Sequence, residues 1–219
     1  MLTCYVENKN KVRFWFTPKC GCTFIRKLYM YYTNCFINKG NHIETDINDN
    51  INFIDILFIR NPYKRIVSGY MDCYVQNEKY IGNFSFNEML DNLLESEFKN
   101  VNKLHFQHQL SENYNQNIKF NKIFDIENID YEYLDSLFNI KIKGNEQVLN
   151  LFRISGHHVK YDKNLYINNA YLLSPTQLNL LYKDNYPYYN SFLNQITIDK
   201  INKFYNKDIE FLINNNFNF

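Results

Sequence analysis

The chain is 219 residues long, with 24 Lys and Arg against 23 Asp and Glu, a net charge of +1. A hydrophobic fraction of 45% and a charged fraction of 21% exclude a disordered or collagen-like chain, and the length sets a single domain over residues 1–219 as the expectation. The charge balance gives no gross attraction to nucleic acid or to an anionic membrane. Against 19 Tyr, 19 Phe and 36 Asn there are only six Gly and four Pro, so the chain breakers are scarce and their positions are informative.

No stretch reaches the ~18 consecutive apolar residues of a membrane span. The opening MLTCYVENKNK lacks a basic segment followed by an apolar one. A cytoplasmic location with no membrane span is therefore expected. Cys4, Cys20, Cys22, Cys35 and Cys73 all lie in the first third, and their odd number speaks against a disulfide scaffold. No internal repeat or long linker is visible, and the Asn-rich stretches 113–117 and 214–218 read as surface turns or fraying ends.

In chain order, Val12 to Thr17 (VRFWFT) combines β-branched and aromatic residues and is stopped by Pro18, which predicts a strand. From Thr23 to about Phe36, Phe24, Leu28, Tyr31, Tyr32 and Cys35 recur on one helical face. Phe53 to Ile59 (FIDILFI) is a nearly continuous apolar run, the mark of a strand buried on both faces of a parallel sheet. A helix follows, with Pro62 in its first turn and Ile66, Val67, Tyr70 and Tyr74 at helical spacing. Ser85-x-x-Glu88 is a capping box for a helix carrying Phe86, Met89, Leu90, Leu93 and Leu94. Ile123 to Ile126 is a candidate third strand, and Ile198 to Ile213 has helical periodicity with Thr197 as its expected N-cap. The alternation predicts an α/β fold with a mostly parallel central sheet flanked by helices.

Between the first strand and its helix lies Thr17-Pro18-Lys19-Cys20-Gly21-Cys22-Thr23. Backbone N–H groups at a helix N-terminus point into such a loop and favour an anion. Gly21 lets the backbone approach closely, Lys19 adds a mobile positive charge and Thr23 a hydroxyl. The pattern describes a phosphate cradle; the alternative is a Pro-Lys turn with a solvated lysine. No Walker sequence is present, because Lys19 precedes the turn glycine, which disfavours a kinase-like phosphotransferase.

After the second strand comes Arg60-Asn61-Pro62-Tyr63-Lys64-Arg65-Ile66-Val67-Ser68-Gly69-Tyr70. In a doubly wound sheet the carboxyl ends of neighbouring strands open onto one crevice, which places Arg60 beside the Lys19 loop. Ser68, two helical turns on, is expected to share its anion, and an arginine fork with a hydroxyl suits a phosphate monoester. The alternative is an exposed basic helix start.

These two segments resemble the carbohydrate sulfotransferases, in particular the chondroitin, dermatan and HNK-1 branch. Pro18 to Thr23 is similar to the P-K-x-x-C-T phosphosulfate loop, and Phe58 to Tyr70 to F-x-R-x-P-[FY]-x-R-[LIV]-V-S-x-Y, which in the family holds the 3'-phosphate. Fainter similarities follow at His105-Phe106-x-x-Gln109, at Ile123 to Ile129 with Glu127, and at Tyr205, Asp208 and Leu212 in the closing helix.

The resemblance implies a P-loop-like sulfotransferase fold. It further implies transfer of the sulfonyl group of 3'-phosphoadenosine 5'-phosphosulfate to an acceptor hydroxyl, a glycan first, by in-line displacement. The product is 3'-phosphoadenosine 5'-phosphate and no metal is required. Pro18, Lys19, Cys20, Gly21, Cys22, Thr23, Phe24, Arg60 and Ser68 are implied to bind the cofactor, with Lys19 also catalytic.

Related glycan sulfotransferases place a catalytic histidine between the two motifs, and His42 is the one histidine in that interval. Glu44 and Asp46 are the fallback bases or its orienting partners. His105 reads as a satisfied, partly buried histidine on a helix. His157 and His158, with Lys160 and Arg153, form a basic patch without the Cys or Asp spacing of a zinc site. At a helix N-terminus beside Lys19, the Cys20 and Cys22 thiols are expected to have lowered pKa values and to be oxidation-prone. The alternatives to glycan transfer are sulfation of tyrosine or a small molecule, or a degenerate member that only binds nucleotide or glycan. The familiar relatives are longer and membrane-anchored, and a compact viral or microbial version is the simplest account of this chain.

Overall fold

The computed structural model describes residues 2–35, 52–76, 83–96, 101–110, 118–153, 159–183 and 185–217. They fall into two units, Met1–Arg60 with Gln109–Gly156 and Asn61–His108 with His157–Phe219. No described helix is long and apolar enough to cross a membrane.

The first unit is built on a four-stranded sheet in the order β1 (Thr3–Glu7), β2 (Val12–Phe16), β3 (Ile54–Ile59), β4 (Lys122–Asp125). β2, β3 and β4 run parallel, with Phe14 opposite Ile56 and Phe58 opposite Phe124. The α/β expectation of a mostly parallel sheet is met, and β2 and β3 lie within one residue of their predicted bounds. β1 was not foreseen. It pairs antiparallel with β2 through a turn in which the Glu7 carboxylate accepts from Lys9 N–H at 2.7 Å and Asn10 N–H at 2.6 Å.

Because strand side chains alternate between faces, Val12, Phe14 and Phe16 of β2 share a face with Ile56 and Phe58 of β3. Helices α1 (Cys22–Thr33), α5 (Tyr131–Phe138) and α6 (Glu146–Arg153) cover it with Ile25, Leu28, Leu134, Phe138 and Phe152. Much of the aromatic excess is spent here, with the Phe14 ring 5.0 Å from Phe58 and 5.7 Å from Tyr29. On the opposite strand face, Arg13 donates from Nε and a terminal nitrogen to both Asp55 oxygens at 2.6 and 2.7 Å, and Trp15 Nε1–H donates to Asp55 at 2.6 Å. Arg13 and Asp55 are register partners, so this buried pair specifies how β2 aligns with β3.

The second unit is mainly helical: α2 (Pro62–Tyr70), α3 (Phe86–Ser96), α4 (Lys103–Phe106), α7 (Pro175–Tyr182), α8 (Gln195–Phe204) and α9 (Asn206–Asn214), with two short strands, β5 (Tyr161–Asp162) and β6 (Tyr186–Pro187). The helix predicted through Tyr74 changes character after Tyr70, where Met71–Gln76 widens into π geometry while its apolar face stays buried. The Ser85–Glu88 capping box forms as expected. The single helix expected over Ile198 to Ile213 is instead two, α8 and α9, divided at Tyr205. Asn194 caps α8, and Thr197 is the third-residue partner of that capping box rather than the cap. Tyr205 donates its hydroxyl to Phe106 C=O, a tertiary bond made at the break. Gly69 sits at a close approach: a Cβ there would stand 3.0 Å from the Phe106 ring.

Candidate functional site

β2 ends at Phe16 and the chain turns at once, with Cys20 N–H donating to Thr17 C=O at 3.1 Å. Lys19 and Gly21 both take left-handed backbone, at φ 67° and 75°. For Gly21 this is cheap and for Lys19 it is a strained conformation of the kind stored at functional sites. Gly21 is the N-cap of α1 and its carbonyl accepts from Ile25 N–H at 2.9 Å. As glycine it offers no side-chain acceptor to the first-turn N–H groups, which makes the start of α1 a place for an anion. A side chain there would be strained by the positive φ and crowded, since a Cβ would sit 3.1 Å from Ile126 Cδ1.

Arg60 follows the last residue of β3. One terminal guanidinium nitrogen donates to Lys19 C=O at 3.4 Å, so the structure brings Arg60 to the Lys19 loop as the crevice argument expects. Its Nε is buried without a hydrogen-bond acceptor among the described residues, and the Glu127 carboxylate is 4.0 Å away. A buried guanidinium N–H so placed calls for a hydrogen-bond acceptor.

Gln109 completes the arrangement. Its Oε1 accepts from Arg60 N–H at 2.8 Å and from the Cys20 thiol at 2.9 Å, and its Nε2 donates to Arg60 C=O at 2.8 Å. Sequence reasoning noted Gln109 and Glu127 only as parts of fainter family patterns and gave neither a place at the site. That pattern was the available signal.

The Cys22 thiol donates to Thr17 C=O at 3.4 Å. Its pKa is not lowered as expected but pushed up to about 11, because burial disfavours the thiolate more than the nearby N–H groups and Lys19 favour it. The Cys20 sulfur is fully buried and 3.2 Å from Thr17 Oγ1, so neither thiol is placed as a reactive one. Thr23 is the second residue of α1, and Phe24 packs edge-to-face on Phe152 at 6.1 Å. Ser68 lies half-buried on α2 in the second unit.

His42, Glu44, Asp46, His157 and His158 lie outside the described residues, as does the side chain of Arg153. In the second unit, His105 Nε2 is 3.6 Å from Asp72 Oδ2 and His108 Nδ1 is 3.9 Å from the buried Asp208. Asp72, Cys73 and His105 bring their ligand-type atoms within 4.8 Å of one another, the one group among the described residues with the side chains to hold a metal ion.

The β2–α1 loop, Arg60 and the amide that clamps them thus form a basic, tightly packed site suited to a phosphate or sulfate ester. Searches of curated proteins and of solved structures return no match. A family model described as the sulfotransferase family matches residues 3–213, almost the whole chain and both motif segments. The chain belongs to the sulfotransferase family.

Proposed function

We propose that this protein transfers the sulfonyl group of 3'-phosphoadenosine 5'-phosphosulfate to a carbohydrate hydroxyl, in the manner of the chondroitin, dermatan and HNK-1 branch. The observation that carries this is the β2–α1 junction, where left-handed backbone at Lys19 and Gly21 opens a helix N-terminus beside the buried Arg60 Nε. These residues fit the cofactor: an orphaned guanidinium N–H and a glycine cradle are what a phosphate ester needs. The two units are read as one sulfotransferase domain over 1–219, because the family match runs through both.

When bound, the cofactor supplies the sulfonyl group and a phosphate leaving group. Lys19 and the first-turn amides of α1 hold negative charge at the loop, preorganised before the reaction and therefore effective in stabilising charge as it grows. Pro18, Cys20, Cys22, Thr23 and Phe24 shape the loop and helix start. Arg60 supplies a forked cation from the end of β3, with Ser68 as the hydroxyl that the resemblance assigns beside it. His42 takes the acceptor proton, with Glu44 and Asp46 as the carboxylates able to orient or replace it. No residue in this scheme requires a metal.

The test is transfer of radiolabelled sulfur from the cofactor to a panel of glycans, tyrosine peptides and small phenols. Labelled glycan is the expected result. Label on tyrosine or phenol alone overturns the carbohydrate assignment. Cofactor binding without transfer to any acceptor identifies a degenerate, binding-only member.

A further inference from the structure

We propose that Gln109 is a positioning residue, locking the end of β3 to the Lys19 loop so that Arg60 and the loop are presented as one rigid anion site. The inference rests on the sulfotransferase reading above.

Ile59 C=O turns toward β4, where it accepts from Ile126 N–H at 2.9 Å. Successive strand residues direct their N–H and C=O groups to opposite edges, so those of Arg60 face the β2 side. β2 has already ended at Phe16, and among the described residues no strand remains there to pair with Arg60. The Gln109 side chain fills that gap: it accepts from Arg60 N–H and donates to Arg60 C=O, both at 2.8 Å. An amide presenting one acceptor and one donor to a single residue does what a neighbouring strand would do. With both its N–H and its C=O held, Arg60 has a fixed backbone from which its guanidinium extends.

The same Oε1 also accepts from the Cys20 thiol at 2.9 Å, and Cys20 is in the turn that sets Lys19 and Gly21 left-handed. One buried amide, 2% exposed, therefore ties together two segments about forty residues apart in sequence. Glu127, 4.0 Å from Arg60 Nε, is too distant and too exposed to do this.

The experiment is calorimetry with 3',5'-ADP on the wild type, Gln109→Leu and Gln109→Glu, with unliganded thermal melts to establish folding. A protonated carboxyl reproduces the amide's acceptor-plus-donor pattern, whereas a carboxylate loses the donor and faces Arg60 C=O with negative charge. Gln109→Leu is expected to weaken binding by about tenfold or more. Gln109→Glu is expected to show a similar loss at pH 8 and to recover to within about threefold of the wild type at pH 5.5. A merely structural glutamine would give no such pH-dependent recovery.

Wild-type affinity in a folded Gln109→Leu overturns the proposal, as does an equal loss in Gln109→Glu at both pH values. The pH series decides alone if the leucine variant does not fold. A wild type that fails to bind 3',5'-ADP overturns the sulfotransferase reading, and this inference with it. Wild-type binding with unaffected variants overturns the role of Gln109 alone.

Discussion

Two strand-to-helix junctions carry the motifs of this chain, and they finish their helices in opposite ways. At the first, β2 runs through Lys19 and Gly21 into α1, and the N-cap is a glycine with nothing to offer the helix N-terminus. At the second, β3 runs through Arg60 into α2, and the Asn61 side chain accepts from Tyr63 N–H at 2.9 Å and Lys64 N–H at 3.1 Å, with Pro62 removing a third donor. The first helix is left without a side-chain cap, while the second is sealed by its own sequence. At the second junction, therefore, what is presented is the arginine before the helix and not the helix amides. Topology repeats and the chemistry differs.

The largest effect expected from this contrast is at Lys19. Lys19→Ala should lower turnover by about 100-fold or more while leaving the fold intact, since it removes a preorganised charge at the open junction; wild-type turnover would remove Lys19 from the chemistry. Next is Gly21→Ala, which places a side chain at φ 75° and 3.1 Å from Ile126. It should cost about 1–2 kcal/mol of stability, seen as a lowered melting temperature, and impair 3',5'-ADP binding as well. Asn61→Ala tests the sealed junction. It should cost about 1 kcal/mol in denaturant unfolding with under about threefold change in nucleotide affinity, the reverse balance to Gly21.

The smallest effect is at Cys22, whose pKa is raised from 9.0 to about 11 by burial. The folded state disfavours the thiolate, so the contribution of this thiol to stability is complete below pH 9 and is lost as pH rises toward 11. At pH 8 about one thiol in a thousand is ionised, and Cys22 should be alkylated far more slowly than the exposed Cys35. Rapid labelling of Cys22 at that pH would contradict the packed loop.

How much of this was legible in the sequence follows from how local each feature is. The parallel strands β2 and β3 and the helices after them were readable because Pro18, Pro62 and Gly21 stand at the turns and apolar residues keep the helical or buried-strand pattern between them, whereas α5 after β4 carries no such marker and was not expected. β1 escaped because it is a five-residue edge strand whose turn contains no Gly or Pro and is instead held by the Glu7 carboxylate and left-handed Lys11. The break at Tyr205 escaped because the periodicity runs through it, and what marks it is a hydroxyl bond to Phe106, 99 residues away.

At the site, Lys19 and Arg60 were readable from their places at strand ends. The Gln109 clamp spans 49 residues to Arg60 and 89 to Cys20, and only topology brings those groups together. The Cys22 thiol was misjudged for a related reason. Proximity to a helix start and a lysine is visible in sequence, but the burial that outweighs both is not.

On the proposed function, the open junction and Arg60 together bind a nucleotide through its phosphates, with no metal. Calorimetry of the wild-type chain in the presence of a chelator tests it most directly. The expected result is binding of 3',5'-ADP unchanged by the chelator, with little affinity for ATP even when magnesium is added. Preferential, magnesium-dependent binding of ATP would contradict it.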